Sequence, residues 1–403
     1  SVAYDEKGQP TKAAIGFARG KGLDVANLTR KQTPKGEVVC ALIENKGRST
    51  SSLLNEYLPQ LIHEIPFQKK MRWANNSLPF ARPLHWVAAL FDGKALEFEF
   101  DGIANNIVSR GHRFLKPEQF RINGIESYLK ECEKHFLMID PATRKASILE
   151  QVQDLAKQAG GYIKEDGDLL NLVNFLVEYP VAIKGNFDPG FLELPKELLV
   201  ISMKYHQKYF PVWDKKGNLL PCFITVSNMI AEKSDEIKKG NERVLRARLE
   251  DARFFYDEDR KKKFEDFVEP LKGVVFQKKL GTIYEKVCRI TDLAGILAGL
   301  ICPQKEQQVR RAAYLSKADL VSQMVFEFPE LQGVMGGYYA LHSGENAEVA
   351  QAITEHYRPT FAGDDLPSCD SGAIIAVADK LDTIVGCIAV GLIPSGSEDP
   401  YGL

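Results

Sequence analysis

The stretch that most constrains the fold runs from Tyr314 to Ala340, YLSKADLVSQMVFEFPELQGVMGGYYA. Its apolar residues recur at the spacing of one helix face, which predicts an amphipathic helix: Val321, Met324, Val325 and Phe328. Its polar residues fall on another face of that helix: Ser316, Asp319, Gln323, Glu327 and Glu330. Pro329 should end the helix, and a glycine-rich turn follows it. The pattern predicts a packed helical unit that carries an acidic stripe.

Length and composition describe a large globular chain. With 403 residues we expect two or three domains, and 44% hydrophobic with 26% charged residues is typical of globular proteins. No apolar run approaches the length of a membrane span. The seven cysteines form no C-x-x-C pair, which favours reduced thiols and a cytoplasmic location. A start at Ser1 and a stop at Leu403, just after a loop, suggest a piece of a longer chain.

Charge is distributed unevenly along the chain. From Asp319 onward there are thirteen acidic residues and two basic ones, a balance of −11, whereas the 318 residues before it carry +9. A basic body with an acidic end suggests a polyanionic partner for the body and a different partner for the end. The alternative is dispersed, solvated charge.

Periodicity predicts an α+β chain in three parts. We expect residues 1–65 to be the remainder of an N-terminal α/β domain, residues 66–270 to form an α+β body, and residues 271–403 to be helical. Strand signals include Leu84–Phe91, with a hairpin turn at Asp92-Gly93. The predicted helices are Ser51–Ile65, Pro141–Ala159, Asn241–Phe267, Ile283–Leu300, Gln304–Phe328 and Gly372–Val390.

Basic residues interleaved with aromatic ones are the main binding signal. Cations among aromatic rings can hold phosphates while bases stack. The candidates in such stretches are Lys69, Lys70, Arg72, Arg82, Arg110, Arg113 and Lys208, and a charged helix adds Arg243, Arg246 and Arg253. Long cations lying over buried rings are the alternative for the first group. For the helix the default interpretation is a surface ion-pair lattice, Arg246 with Glu250 and Arg253 with Asp257, and RNA binding is the second one.

Motifs of autonomous catalysis are absent from the sequence. There is no P-loop, no G-x-G-x-x-G with a following acidic residue, no G-x-S-x-G and no H-E-x-x-H. His206, between tyrosines in MKYHQKYFPVWD, is more typical of a hydrogen-bonded structural histidine than of a catalyst. The residues alone therefore predict no catalytic site.

Several long stretches resemble the beta subunits of bacterial glycyl-tRNA synthetases. They occur in family order from Met71 to Pro400: MRWANNSLPFARPLHWVAAL, SRGHRF, MKYHQKYFPVWDKKGNLLPCFITVSN, GNERVLRARLEDARFFYDED, KLGTIYEKV, KADLVSQMVFEFPELQGVMGGYYA, AVADKLDTIVG and IPSGSEDP. The resemblance implies that the extreme N-terminus and the C-terminal anticodon-binding part of the family are missing here. It also implies an editing-like body, of the phenylalanyl-tRNA synthetase beta type, followed by an all-α HD-like domain.

The family resemblance implies a role within a larger enzyme. Such enzymes contain two alpha and two beta subunits, and the alpha subunit uses ATP, Mg and glycine. The beta subunit recognises and positions tRNA(Gly), so we expect no catalytic residue, metal or cofactor on this chain and no membrane partner. Because glycine is the smallest amino acid, steric exclusion leaves proofreading in the editing-like body little to correct.

The implied HD-like site can be compared with the residues present. The family of HD phosphohydrolases binds metal through histidines, a His-Asp pair and a distant Asp. Here the pair resembles Lys317-Ala318-Asp319, with Asp379 or Asp382 as the distant acid, while His342 and His356 should lie elsewhere. A lysine ammonium has no lone pair for a metal, which predicts a degenerate, metal-free site. A metal-dependent phosphohydrolase remains one alternative, and a scaffold subunit that docks its partner through the acidic end is another.

Overall fold

The helices form most of the secondary structure in the computed structural model, which describes residues 3–5, 7–34, 36–43, 47–73, 79–230, 234–394 and 399. Their bounds are α1 Lys12–Gly20, α2 Thr50–Glu64, α3 Ile125–Lys134, α4 Pro141–Gln158, α5 Gly167–Asn174, α6 Lys196–Ile201, α7 Ser234–Asp259, α8 Ile283–Ile301, α9 Glu306–Leu315, α10 Gln323–Glu327, α11 Val334–His342, α12 Ala347–Glu355 and α13 Asp370–Ala389. Short 3₁₀ turns connect several of them.

The strands are short and form small sheets, so the chain is α+β as predicted. They are β1 Leu28–Thr33, β2 Gly36–Ala41, β3 Val87–Ala88, β4 Leu90–Phe91, β5 Lys94–Ala95, β6 Glu99–Phe100, β7 Ile103–Asn106, β8 Val108–Arg110, β9 Gln119–Arg121, β10 Val181–Asn186, β11 Phe210–Trp213, β12 Leu219–Ser227, β13 Val275–Gln277 and β14 Gly281–Thr282. Contacts divide the chain into two compact units: residues 1–109 with 119–128, and residues 110–118 with 129–403. These packing units differ from the predicted three-part division, which stays a prediction.

The first unit contains the predicted turn and corrects the predicted strand. Asp92 and Gly93 both have positive φ, 51° and 72°, and they join β4 to β5 as a tight hairpin. The stretch Leu84–Phe91 is not one strand, because Ala89 between β3 and β4 bonds to the Asn105 side chain. The Ala89 N–H donates to Asn105 Oδ1 at 2.7 Å, and the Ala89 carbonyl accepts from Nδ2 at 3.0 Å.

The larger unit is organised around the antiparallel sheet β10-β12-β11. Adjacent residues of a strand point to opposite faces, and on β12 both faces are buried. Ile224 packs with Ile148 and Val152 of α4, whereas Phe223 belongs to the core that includes Leu245 of α7. This second core continues into the C-terminal helices, so one hydrophobic interior joins the sheet to the helical region.

The opening stretch does not form the single helix that its spacing predicts. Helix α9 ends at Leu315, a 3₁₀ turn covers Ala318–Val321, and Ser322 caps the separate helix α10 by accepting from Val325 N at 3.1 Å. The acidic stripe therefore does not exist as one face. The apolar part of the prediction holds, since Met324, Val325 and Phe328 are all buried.

The charged helix is also displaced relative to its prediction. Helix α7 begins at Ser234 and ends at Asp259, and Phe264–Phe267 is a separate 3₁₀ turn. Asp259 is the last residue of the helix, and its carboxylate binds the start of α10, accepting from Gln323 N and Met324 N at 3.0 Å each. In the described ranges no helix is both long and apolar enough to cross a membrane.

Candidate functional site

Lys317 lies at the centre of a buried polar cluster in the helical region. Its ammonium donates to Asp379 Oδ2 at 2.5 Å and to His356 Nε2 at 2.9 Å. It also lies 3.7 Å from the centre of the Tyr357 ring. Lys317 is 3% exposed and His356 is fully buried, so these contacts replace solvent completely.

A second lysine completes the cluster from the opposite side. Lys286 on α8 contacts Asp379 Oδ1 at 2.8 Å and Asp382 Oδ2 at 3.1 Å. Arg289, one turn along α8, donates to Asp382 Oδ1 at 2.6 Å. Asp379 and Asp382 thus sit on α13 between cations from two other segments. We call Lys286, Lys317, His356, Asp379 and Asp382 the lysine–aspartate cluster.

Hydrogen bonding fixes the protonation of His356. Its Nδ1 lies 2.6 Å from the Ile353 carbonyl and must donate there, so Nε2 accepts from the Lys317 ammonium. Burial, together with the positive charge of Lys317, lowers the pKa of His356 to about 3. The imidazole is therefore neutral at physiological pH.

Two opposing effects act on the charges of the Lys317–Asp379 pair. Burial lowers the pKa of Lys317 to about 8, against the attraction of Asp379. Burial alone would raise the pKa of Asp379, but the Lys317 and Lys286 ammoniums outweigh it and hold that pKa below its usual value. The pair is therefore an ion pair near neutral pH, and removing Asp379 would leave the buried Lys317 ammonium without its carboxylate.

The chemistry of the cluster favours structure over metal binding. Lys317 places a positive charge between an imidazole and a carboxylate, the position that a cation bound by both would take. An ammonium repels a second cation and offers no lone pair. Over the part of the chain that the structure covers, no three His, Cys, Asp or Glu side chains approach closely enough to hold a metal ion.

Asp319 binds backbone N–H groups and does not act as the metal ligand that its position in the sequence suggests. Its Oδ2 accepts from Gly333 N at 2.6 Å and Gly336 N at 2.9 Å, so it caps the start of α11. Gly333 has φ 78°, and a Cβ on Gly336 would lie 2.7 Å from Ile353 Cγ2, which explains the glycines here. Burial raises the pKa of Asp319 to about 6, although the two N–H groups act to lower it.

The structure therefore brings together three of the four predicted HD-like positions. Lys317, Asp379 and Asp382 join one cluster, while Asp319 makes its hydrogen bonds to the glycines of α11. The expectation that His356 lies elsewhere is wrong, because it contacts Lys317 directly; only His342 lies apart, 3.2 Å from Arg260. Sequence analysis missed Lys286, and no local motif marks it.

Four of the predicted phosphate-binding residues lie in the first unit and are exposed: Lys69, Lys70, Arg72 and Arg82. Within the described residues none of these four has a carboxylate within 4.0 Å. Their charged groups are therefore exposed to solvent and do not form ion pairs with the described carboxylates. We call these four residues the basic group of the first unit.

The candidates in the larger unit differ in their exposure to solvent. Arg110, Arg113, Arg243 and Arg246 are exposed, and the Arg113 guanidinium lies 5.6 Å from the centre of the Phe114 ring. Lys208 is half-buried, has φ 61° and donates to the Tyr205 carbonyl.

The expected ion-pair lattice on α7 does not form, and Arg253 contacts a different part of the chain. Arg253 donates to the Gly190 carbonyl at 2.5 Å, and its guanidinium lies 4.6 Å from the centre of the Phe191 ring. On this fully described helix neither Arg246–Glu250 nor Arg253–Asp257 approaches within 4.0 Å. Arg248 instead pairs with Glu327 of α10 at 2.8 Å.

A cleft of about 510 Å³ lies beside the motif that contains His206. A π-helical turn, Ser202–His206, forms one wall, and Lys164 lies 3.6 Å from the centre of the Trp213 ring on the other side. Lys204 in this wall pairs with Asp166 at 2.5 Å. His206 itself packs edge-on against Phe328 with a distance of 5.3 Å between the ring centres, but among the described residues its buried Nε2 has no hydrogen-bond partner, so the predicted hydrogen-bonded histidine is not observed at that atom.

Comparison with known proteins identifies the family. A family model described as glycyl-tRNA synthetase beta subunit matches residues 1–403. A glycine–tRNA ligase beta subunit from Geobacter sp. (strain M21) is 55% identical over 403 residues, and its counterparts from Citrifermentans bemidjiense and Geobacter sulfurreducens are 54% and 53% identical. Each match covers the whole chain and 59% of the relative's length. The chain therefore belongs to the glycyl-tRNA synthetase beta subunit family.

Proposed function

We propose that this chain is the part of a glycyl-tRNA synthetase beta subunit that holds tRNA(Gly) by its phosphates while glycylation takes place on another subunit. The relatives are named as beta subunits of glycine–tRNA ligases, which supports a shared enzyme. The chain spans about 59% of their length, so the activity of the whole enzyme is part of this proposal.

The assembly that we propose follows the family. The chain would join an alpha subunit in a complex of two alpha and two beta chains in the cytoplasm. ATP, Mg and glycine would bind on the alpha subunit, and this chain would contribute no catalytic residue. A subunit name that contains "beta" supports a partner chain, and the alpha subunit is the expected one.

The observation that carries the proposal is that the basic group of the first unit is exposed and has no carboxylate partner among the residues that the structure describes. Exposed cations without carboxylate partners keep their full attraction for phosphate, whereas paired cations must first break an ion pair. Phosphate contacts release condensed counterions, so the resulting binding depends steeply on salt. The surrounding segment also belongs to the 318 residues that carry +9.

The test is tRNA(Gly) binding as a function of salt by the double variant Arg72→Ala, Arg82→Ala. Removing two phosphate contacts should flatten the slope of log K against log[salt] by about 1–2 and weaken binding at low salt. Filter binding or fluorescence anisotropy with the full-length subunit provides the reference, since we propose that the part of the relatives' length that this chain does not span also binds tRNA. Glycylation by each variant mixed with the alpha subunit gives a second readout.

A matched control removes the same charge from paired arginines. Arg310 pairs with Glu306 at 2.9 Å and Arg358 pairs with Glu355 at 4.0 Å, and both are about 40% exposed. The variant Arg310→Ala, Arg358→Ala should leave the salt slope unchanged. Equal losses in the two double variants would mean that net charge alone matters, and the proposed contacts would then be wrong.

We further propose that the fold combines an editing-like body in residues 66–270 with an HD-like helical domain in residues 271–403. The grouping of Lys317, Asp379 and Asp382 supports the second resemblance, because these positions were derived from it. The ammonium of Lys317 argues against a metal-dependent phosphohydrolase. A purely structural scaffold would leave the basic group without a role, so tRNA positioning is preferred.

A further inference from the structure

Between residues 377 and 388 the exposed face of helix α13 is wholly apolar. Its opposite face carries Asp379 of the lysine–aspartate cluster and the core residues Ile375 and Ala378. The residues of α13 that are exposed between 377 and 388 share one stripe, at spacings of four, four and three, and all are large and hydrophobic: Val377, Leu381, Val385 and Ile388. They are 40% to 61% exposed. Single exposed apolar residues are ordinary, but a continuous helical stripe marks a surface that another segment covers.

The composition of this stripe favours a protein partner over a nucleic acid. No charged residue is exposed on α13 between positions 377 and 388. Lys380 donates to the Tyr357 and Arg358 carbonyls, and Asp382 is held by Lys286 and Arg289. A phosphate backbone needs cations, so tRNA would gain nothing here. The partner that matches this apolar stripe is an apolar protein surface.

The path of the chain indicates which protein surface that is. Helix α13 ends in a Gly391 turn with φ 85°, where Leu392 N bonds to the Cys387 carbonyl at 2.9 Å. Ile393, which follows Leu392, is 70% exposed and continues the hydrophobic surface beyond the helix. Polypeptide that follows Leu403 would therefore be separated from Ile388, the last residue of the stripe, by only 15 residues.

The relatives have enough additional chain to cover it. Because 403 residues make up 59% of the Geobacter sp. relative, that protein holds about 280 further residues. A segment tethered so close binds intramolecularly at an effective concentration of the order of millimolar, which favours it over free partners. We propose that the apolar stripe of α13 is the docking surface for the polypeptide that follows Leu403 in the full-length subunit.

Hydrogen exchange distinguishes this proposal from its alternatives. Amides of residues 377–388 should exchange at least about tenfold more slowly in the full-length subunit than in the 403-residue chain, because a docked segment suppresses local opening. Both proteins are measured without the alpha subunit and at two concentrations. Since no tRNA is present, the result is independent of the proposed role in tRNA binding.

A pair of charge substitutions sharpens the test. Leu381→Asp with Val385→Asp should abolish the extra protection in the full-length subunit and expose the polypeptide after residue 403 to limited proteolysis, yet leave the 403-residue chain unchanged. The control is Tyr57→Asp with Leu61→Asp on α2, an equally spaced apolar pair that is 55% and 59% exposed. It should not affect exchange at residues 377–388.

Three outcomes would overturn the proposal. Equal exchange in the long and short chains would mean that the following segment does not cover the stripe. Protection that arises only when the alpha subunit is added would assign the surface to that subunit. Protection that grows with protein concentration would assign it to a second copy of this chain.

Discussion

The cations of the helical region and those of the first unit differ in what surrounds them. Lys317 and Lys286 are at most 4% exposed and contact carboxylates at 2.5 to 3.1 Å. Arg72 and Arg82 are exposed, with no carboxylate nearby in the described part of the chain. The first pair has exchanged hydration for fixed partners, whereas the second keeps its charge available to a ligand.

This difference shows why regional charge is a weak guide to function. The acidic end of the sequence, with its balance of −11, suggested a surface that docks a partner. Yet Asp319, Asp379 and Asp382 are largely buried and hold the helices together. The number of charges in a segment says little until their partners are known.

The largest expected effect comes from breaking the lysine–aspartate cluster. Lys317→Met keeps the length of the side chain but leaves the buried Asp379 carboxylate with one cation instead of two and His356 Nε2 without a donor. Breaking a buried ion pair costs about 3–5 kcal/mol when the remaining charge is uncompensated, and because Lys286 still pairs with Asp379 we expect a loss near the lower end, about 3 kcal/mol. Equilibrium urea unfolding of the wild type and the variant measures this loss.

The control for Lys317 is a lysine with comparable partners at the surface. Lys305 contacts Glu348 at 2.9 Å and Asp370 at 3.3 Å, but its side chain is 29% exposed. Lys305→Met should cost at most about 1 kcal/mol. Similar losses for the two variants would contradict the structural role assigned to the buried cluster.

The pH dependence of the free energy of unfolding should distinguish a buried base, His356, from a buried acid, Asp319. His356 has a folded pKa of about 3 against 6.5 when unfolded, so its contribution is complete above pH 6.5 and is lost as the pH falls towards 3. Asp319 has a folded pKa of about 6 against 3.8. Its folded form binds the proton more tightly, so its contribution has the opposite sign and falls as the pH rises from 3.8 to 6.

Asp319→Asn removes the pH-dependent contribution of Asp319 to the free energy of unfolding. Relative to the wild type, the free energy of unfolding of the variant should rise by up to about 1.4 kcal/mol per pH unit between pH 3.8 and 6, and the difference should stay constant above pH 6. Urea unfolding at several pH values measures it. A pH-independent difference would mean that Asp319 is ionised throughout this range.

Local signals predicted the parts of this fold that depend on neighbouring residues. The Asp92-Gly93 hairpin, helix α4 with Pro141 at its start, and helix α13 all follow from short-range patterns. The single helix over Gln304–Phe328 was wrong because its interruption depends on distant partners. Lys317 and Asp319 bind groups that lie 14 to 62 residues away along the chain.

The candidate sites show the same limit. The identity of Lys317 was enough to predict a metal-free site, because an ammonium has no lone pair for a metal. The positions of His356 and Lys286 in the same cluster became known only from the structure. No residue pattern distinguishes Arg246, which is exposed, from Arg253, which is held by Gly190 and Phe191. Whether a cation is available for binding depends on contacts that form only in the folded chain.

The smallest expected effects concern these two arginines of one helix. Arg253→Ala removes a hydrogen bond to the Gly190 carbonyl and a contact with the Phe191 ring, so it should lower the free energy of unfolding by about 1–2 kcal/mol. Arg246→Ala should change stability by at most about 0.5 kcal/mol. Thermal or urea unfolding of the two variants measures the contrast.

Binding of tRNA should rank the same two variants in the opposite order. Because Arg246 is exposed, its loss should reduce the slope of log K against log[salt] for tRNA binding by about 1. The loss of Arg253 should leave that slope unchanged, provided that binding is measured where the destabilised variant is fully folded. Both variants remove one positive charge from α7, so each serves as the control for the other. A reduced slope for Arg253→Ala with none for Arg246→Ala would show that an internally bonded arginine can still release its partners for RNA, and the distinction between occupied and available cations would then fail on this helix.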